Sequence, residues 1–139
     1  HGGRMIRVVA RAALVVGLAN LVAELAIFGA LFAPGLAAGE PMPWWMWVVM
    51  YLPVLAAMVW VARAFTRLVQ PIAAGIATGC VAQVEKWALA VWGAAGHDAA
   101  LASVAPTTFW TVHFARMTFG FVAVYALLYA FGRIVRREA

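Results

Sequence analysis

Four long apolar segments, separated by short polar or helix-breaking stretches, dominate the pattern of this chain. They cover about residues 8–32, 44–65, 71–92 and 108–131. A bilayer core about 30 Å thick needs roughly 20 apolar residues for each spanning helix, so every segment is long enough to cross it. The pattern predicts an all-α fold, an up-down bundle of four transmembrane helices.

Prolines mark several ends and one interior position of these segments. Pro34 follows the first segment, and Pro71 suits the first turn of the third. Pro53 lies at the centre of the second, where it removes one backbone hydrogen bond. Residues 96–103 predict a short interfacial helix that Asp98 caps, ahead of the fourth span.

Basic residues indicate how the bundle is oriented. Eight arginines flank the ends that an up-down bundle brings to one side, and the two opposite connections contain no Lys or Arg. Because positively charged loops stay in the cytoplasm, we predict that both termini are cytoplasmic. The arginines are Arg4, Arg7, Arg11, Arg63, Arg67, Arg133, Arg136 and Arg137. Tryptophans that suit the opposite interface are Trp44, Trp45, Trp47, Trp92 and Trp110.

Composition excludes an ordinary water-soluble domain. Of the 139 residues, 67% are hydrophobic and 11% are charged, whereas a soluble domain is roughly half apolar and a quarter charged. We expect one transmembrane domain over residues 5–139, with residues 1–4 as a tag remnant before Met5. Abundant alanine and a preference for Arg over Lys suggest a GC-rich bacterial genome, and hence the bacterial inner membrane.

Seven charged, amide or imidazole side chains lie inside the apolar spans, away from their Arg-rich ends. An ionisable group at the bilayer centre costs at least a few kcal/mol, so each is a candidate for function. The ionisable groups on three spans lie at a similar depth, about seven to nine residues from the outer end. We therefore predict a polar substrate or proton pathway lined by Asn20, Glu24, Gln83, Glu85, Lys86, His113 and Arg116.

The chemistry of these groups suggests separate roles. Glu24 is a candidate for proton exchange or cation binding, and His113 for proton relay near neutral pH. Arg116 stays protonated, so it would act as a counter-charge or bind an anionic substrate. The alternative is structural: Glu24 and Glu85 balance Lys86 and Arg116, and two such pairs would only fix the helix register.

Small residues predict where helices approach one another. Gly75 and Gly79 have the GxxxG spacing that favours close helix contact. Gly17 shares a helical face with Asn20, and Gly120 shares one with Arg116. We predict helix packing at all four glycines, within the chain or between subunits.

Several classes of site lack support in the sequence. The single cysteine, Cys80, excludes an intramolecular disulfide. A membrane haem usually needs two axial histidines, but only His113 lies in a span, and the His97-Asp98 pair is weak as a metal site. No Walker loop, GxGxxG or GxSxG motif occurs. We predict no cofactor and no metal, and no nucleic-acid partner because the arginines do not form a continuous basic face.

The plan of four short-looped spans with a glutamate in the first, Glu24, resembles the small multidrug-resistance transporters. The resemblance is architectural. The connection before the fourth span is longer, that span carries Arg116, and none of that family's motifs occurs. We assign no family membership.

Three functions are consistent with the sequence. The first is a small homo-oligomeric transporter or channel that uses the polar pathway. The second is a non-catalytic accessory or scaffold subunit of a larger membrane complex, in which the charges only hold helices together. The third is an intramembrane enzyme that modifies lipids, with His113 and Glu24 or Glu85 as acid and base. Expected partners are the lipid bilayer and other membrane subunits, including further copies of this chain.

Overall fold

Helices account for nearly all of the part of the chain that the structure describes. The computed structural model describes residues 2–36, 42–91 and 106–138, and no strand occurs among them. The all-α prediction is therefore confirmed for these residues, which form four helices. The helices are α1 (Gly2–Val22, continued by a π-helix over Ala23–Phe32 and a 3₁₀ turn over Ala33–Gly35), α2 (Trp44–Ala62), α3 (Val69–Val91) and α4 (Pro106–Glu138).

Within the described residues, three stretches are long and apolar enough to cross a membrane: Gly2–Phe32, Trp44–Ala62 and Trp110–Arg137. They indicate an integral membrane protein, as the composition predicts. Helix α3 has 23 residues, but it is less apolar because it carries Gln83, Glu85 and Lys86. The predicted interfacial helix at residues 96–103 lies outside the described residues.

The turn between α2 and α3 explains why α2 ends at Ala62, three residues before the predicted boundary at Phe65. The buried side chain of Gln70 accepts hydrogen bonds from the backbone N–H groups of Thr66, at 2.6 Å, and Arg67, at 3.2 Å. These bonds satisfy backbone donors that a helix would otherwise use. The chain therefore reverses direction here.

The four helices pack in the order α2, α1, α3, α4. Helix α3 lies between α1 and α4 and has extensive contacts with both, whereas α2 and α4 touch only sparingly. Helices α1 and α2 are antiparallel: Arg11 lies over the ring of Trp60 at 4.3 Å, and Phe32 meets Trp45 edge to face at 5.7 Å near the opposite end. Helices α1 and α3 are neighbours that run in the same direction, a feature the sequence does not reveal.

The two ends of the bundle differ in chemistry. One end, the Trp-rich end, carries Trp44, Trp45 and Trp110, and the other, the Arg-rich end, carries the eight arginines predicted to lie together. The apolar core contains Val16, Met58, Phe65 and Tyr125, and the last two rings pack edge to face at 5.5 Å. Many large apolar side chains point outward instead, which suits a protein surrounded by lipid.

Candidate functional site

The interface between α1 and α3 brings together four of the predicted polar residues. The amide nitrogen of Asn20 donates a hydrogen bond to Glu85 Oε1 at 3.2 Å. Lys86 Nζ lies 3.6 Å from Glu24 Oε1, and the two side chains are only 15% and 11% exposed. We call Asn20, Glu24, Glu85 and Lys86 the carboxylate cluster.

Two local features of α1 position its half of the cluster. Asn20 and Glu24 are four residues apart, so an α-helix presents them on one face. One turn earlier, Gly17 leaves room for α3: a Cβ atom there would lie 2.5 Å from Val81 Cγ1 and 3.6 Å from Glu85 Oε2. The absence of a side chain at residue 17 therefore lets the Glu85 carboxylate approach α1.

The helix changes its geometry at the cluster. Helix α1 becomes a π-helix at Ala23, immediately before Glu24, and this form continues to Phe32. The wider turn brings the Glu24 carbonyl oxygen to within 3.4 Å of where a Cβ on Gly29, five residues later, would lie. π-Helical turns are rare and are frequent at functional sites. Glu24 thus occupies a junction between two helical forms.

The charges of the cluster do not balance. Lys86 pairs with Glu24, whereas Glu85 accepts a hydrogen bond from the neutral amide of Asn20 and makes no ion pair within the described residues. Arg116, the second cation of the structural alternative, makes no ion pair within the described part of the chain and is exposed. The cluster therefore holds two carboxylates and one ammonium group, and that group pairs with Glu24.

Gln83 and His113 form a second polar contact, between α3 and α4. The Gln83 amide nitrogen donates to the Trp110 carbonyl oxygen at 3.1 Å, and His113 Nδ1 lies 2.8 Å from Gln83 Oε1. Because an amide oxygen only accepts, His113 Nδ1 carries the proton in this contact. The Trp110 ring packs edge to face on His113 at 6.1 Å. Six of the seven predicted pathway residues thus meet partners on a neighbouring helix.

Arg116 lies apart from these contacts, beside a groove between α2 and α4. The groove has a volume of about 420 Å³, and its lining is apolar except for Arg116 and Tyr51. Gly120 also lines it, and a Cβ atom at Gly120 would meet nothing within 4 Å. We call this space the α2–α4 groove.

The other two glycines predicted to pack against a helix, Gly75 and Gly79, lie where α3 meets α4. A Cβ at Gly75 would lie 2.6 Å from the backbone nitrogen of Val122, and one at Gly79 would lie 3.0 Å from Thr118 Cα. These distances allow no side chain larger than hydrogen without movement of α4. The GxxxG spacing thus coincides with the close α3–α4 contact, whereas Gly120 has no helix packed on it.

Sequence reasoning missed a buried polar pair in the same interface. The hydroxyl groups of Thr78 and Tyr125 lie 3.1 Å apart, and both residues are fully buried. Thr78 lies between Gly75 and Gly79 in the sequence. The small-residue face of α3 is therefore the sequence signal that could have identified it. Tyr129, one turn further along α4, donates to the Thr66 carbonyl oxygen at 3.4 Å.

The described residues contain no group of three His, Cys, Asp or Glu side chains arranged to hold a metal ion. Cys80 is exposed on α3, and the His97-Asp98 pair lies outside the described residues. Of the seven predicted pathway residues, two are carboxylates, two are amides, and the others are one lysine, one imidazole and Arg116.

Comparison of the chain with models of protein families, with curated proteins and with solved structures found no match.

Proposed function

We propose that this protein is a small transporter or channel subunit whose carboxylate cluster binds and exchanges a proton or a small cation. The observation that carries the proposal is the charge imbalance: Lys86 pairs with Glu24, and Glu85 makes no ion pair within the described residues. Uncompensated charge is costly inside a membrane, so the cluster should take up one more positive charge. A purely structural set of ion pairs would need no such addition.

The surrounding contacts suit a site that exchanges its occupant. Asn20 holds Glu85 by an amide hydrogen bond, which keeps the carboxylate in place without neutralising it. Lys86 pairs with Glu24 at 3.6 Å, longer than the 2.7–2.9 Å typical of a tight charged hydrogen bond. The Lys86–Glu24 pair can shorten or lengthen when a proton or cation reaches Glu85. We assign Glu85 the role of binding group and Lys86 the role of internal counter-charge.

The proposal includes an orientation and an assembly. Clustered arginines favour the cytoplasmic side, so the Arg-rich end and both termini would lie there, in a bacterial inner membrane. The carboxylate cluster would then sit nearer the outer face. The sequence has no internal repeat to supply a second half of a pathway, so we propose that the protein acts as a homo-oligomer.

Ion flux into liposomes tests the proposal. The purified chain is reconstituted into vesicles that contain a pH-sensitive dye, and a potassium gradient with valinomycin sets an inside-negative potential. Wild-type protein should acidify the lumen faster than protein-free vesicles do, or should admit Na⁺ in a parallel assay with a sodium-sensitive dye. Glu85→Gln should reduce that flux at least tenfold, because the neutral amide cannot bind a proton or pair with a cation.

Glu138→Gln is the matched control, since it removes one carboxylate at the far end of α4. It should leave the flux unchanged, and size-exclusion profiles must show that each variant is as well folded as the wild type. Flux of protons and Na⁺ equal to that of protein-free vesicles would overturn the proposal. So would a Glu85→Gln variant that carries the wild-type flux.

A second candidate, an accessory subunit of a membrane complex, is favoured by one observation. The side-chain contacts of the pathway residues join different helices: Glu24 meets Lys86 across α1–α3, and His113 meets Gln83 across α3–α4. Such contacts would hold neighbouring helices together, which is the role of these charges in an accessory subunit. Mild-detergent purification from the native membrane distinguishes the candidates, because an accessory subunit should bring a stoichiometric partner protein with it.

A further inference from the structure

The α2–α4 groove has a polar mouth and an apolar body. It extends along α4 from Arg116 past Gly120 to Val124, about 12 Å at 1.5 Å per residue, and along α2 from Val48 to Met58. Among the α4 residues that line the groove, Arg116 lies nearest the Trp-rich end of the bundle. The lining farther from that end is apolar. This distribution matches an amphiphile with a charged head and a hydrocarbon tail.

The arginine at the mouth is available for an anion. Arg116 is exposed and makes no ion pair within the described residues. Side chains on a helix tilt toward its N-terminus, which for α4 is the Trp-rich end, so the guanidinium group can extend toward the membrane interface. Trp110, six residues earlier, lies about 9 Å nearer to that interface. A headgroup phosphate at the interface is therefore within reach of the Arg116 side chain.

The groove also has room for part of a lipid acyl chain. Its volume of about 420 Å³ falls in the range of small-molecule sites. Gly120 contributes no side chain, and nothing lies within 4 Å of the position where its Cβ would be. The sparse contact between α2 and α4 keeps the space open to the surrounding lipid.

We propose that the α2–α4 groove binds an acyl chain of an anionic phospholipid whose phosphate pairs with Arg116. Guanidinium groups bind phosphate by paired hydrogen bonds, and the single positive charge favours a lipid of net negative charge over a zwitterionic one. The site is separate from the carboxylate cluster and does not depend on ion transport.

Photo-crosslinking in vesicles tests this site, because it resolves position along the chain. The full chain is reconstituted in phosphatidylcholine with a trace of phosphatidylglycerol or phosphatidylcholine that carries a diazirine on one acyl chain. Crosslinked peptides are then located by mass spectrometry. In the wild type, crosslinks at Leu52 to Met58 and at Gly120 to Val124 should be about fivefold more frequent with the anionic probe, the effect expected of one arginine.

Two variants test separately the positive charge of Arg116 and the open space beside Gly120. Arg116→Gln should remove the anionic preference at the groove while leaving crosslinks near Ile134, at the Arg-rich end, unchanged. Gly120→Leu should fill the groove and reduce crosslinking there at least fivefold with both probes. Phe119→Leu, at a residue that is 75% exposed and does not line the groove, is the matched control and should change neither result.

Three outcomes would overturn the proposal. They are equal crosslinking of the two probes at the wild-type groove, an anionic preference that survives Arg116→Gln, and groove crosslinks that survive Gly120→Leu.

Discussion

The close approach of α3 and α4 at Gly75 predicts different effects for the same substitution at two glycines. A methyl group added at Gly75 would lie 2.6 Å from Val122 Cα and backbone nitrogen, about 0.8 Å inside ordinary contact at 3.4 Å. One added at Gly120 would meet nothing within 4 Å. Both residues lie within helices, so Gly75→Ala and Gly120→Ala differ mainly in the clash.

The magnitude follows from that difference. Replacing glycine by alanine inside a helix stabilises it by roughly 0.5–1 kcal/mol, and this gain applies to both variants. Overpacking a close contact costs about 1–3 kcal/mol, and the upper part of that range applies at Gly75 because backbone atoms of Val122 cannot rotate away. We therefore expect Gly75→Ala to be less stable than Gly120→Ala by about 2–3 kcal/mol.

Reversible unfolding in mixed micelles, with sodium dodecyl sulfate as denaturant and circular dichroism as readout, measures this difference. Gly120→Ala should unfold at the same or a higher denaturant fraction than the wild type, and Gly75→Ala at a lower one. Free energies of unfolding that agree within about 0.5 kcal/mol would refute the close α3–α4 contact at Gly75.

Three further variants test polar contacts by the same assay. Lys86→Met should lower the free energy of unfolding by about 3–5 kcal/mol because it leaves Glu24 buried and unpaired. Adding Glu24→Gln should restore most of that loss. No recovery in the double variant would contradict the ion pair. Thr78→Val should cost about 1–3 kcal/mol by stranding the Tyr125 hydroxyl, and a smaller loss in the Tyr125→Phe background is required if the two hydroxyl groups are bonded. Gln70→Ala removes an acceptor from two backbone N–H groups and should cost about 1–2 kcal/mol, whereas an unchanged free energy would argue against the α2–α3 turn described above.

Much of the architecture could be predicted from the sequence because hydropathy and length decide which segments form apolar helices. Depth along each helix also follows from simple counting. Glu24 and Lys86 were placed at a similar level for this reason, and in the structure they are 3.6 Å apart. The positions of Gly75 and Gly79 on one face of α3 follow from helical periodicity alone.

The rotation of each helix about its own axis and the order of the helices around the bundle could not be predicted. In a chain this apolar, every face of α2 and α4 tolerates lipid, so the sequence carries little information about which face turns inward. Arg116 was therefore grouped with the carboxylates, although it lines the α2–α4 groove. The π-helix over Ala23–Phe32 was missed because its sequence has the composition of an ordinary apolar helix.

The neighbouring, parallel arrangement of α1 and α3 has a consequence for how the chain is made. Asn20 and its partner Glu85 are separated by 65 residues. At about 5–20 residues per second, a ribosome needs roughly 3–13 s to add that length. During this interval α1 enters the membrane with its polar groups unmatched, at a cost of about 2.5–3.5 kcal/mol for the Glu24 charge. The many apolar residues of α1 must offset that cost until α3 arrives. Synthesis that stops after α2 would therefore yield a fragment in which the Glu24 carboxylate lacks the ammonium group of Lys86.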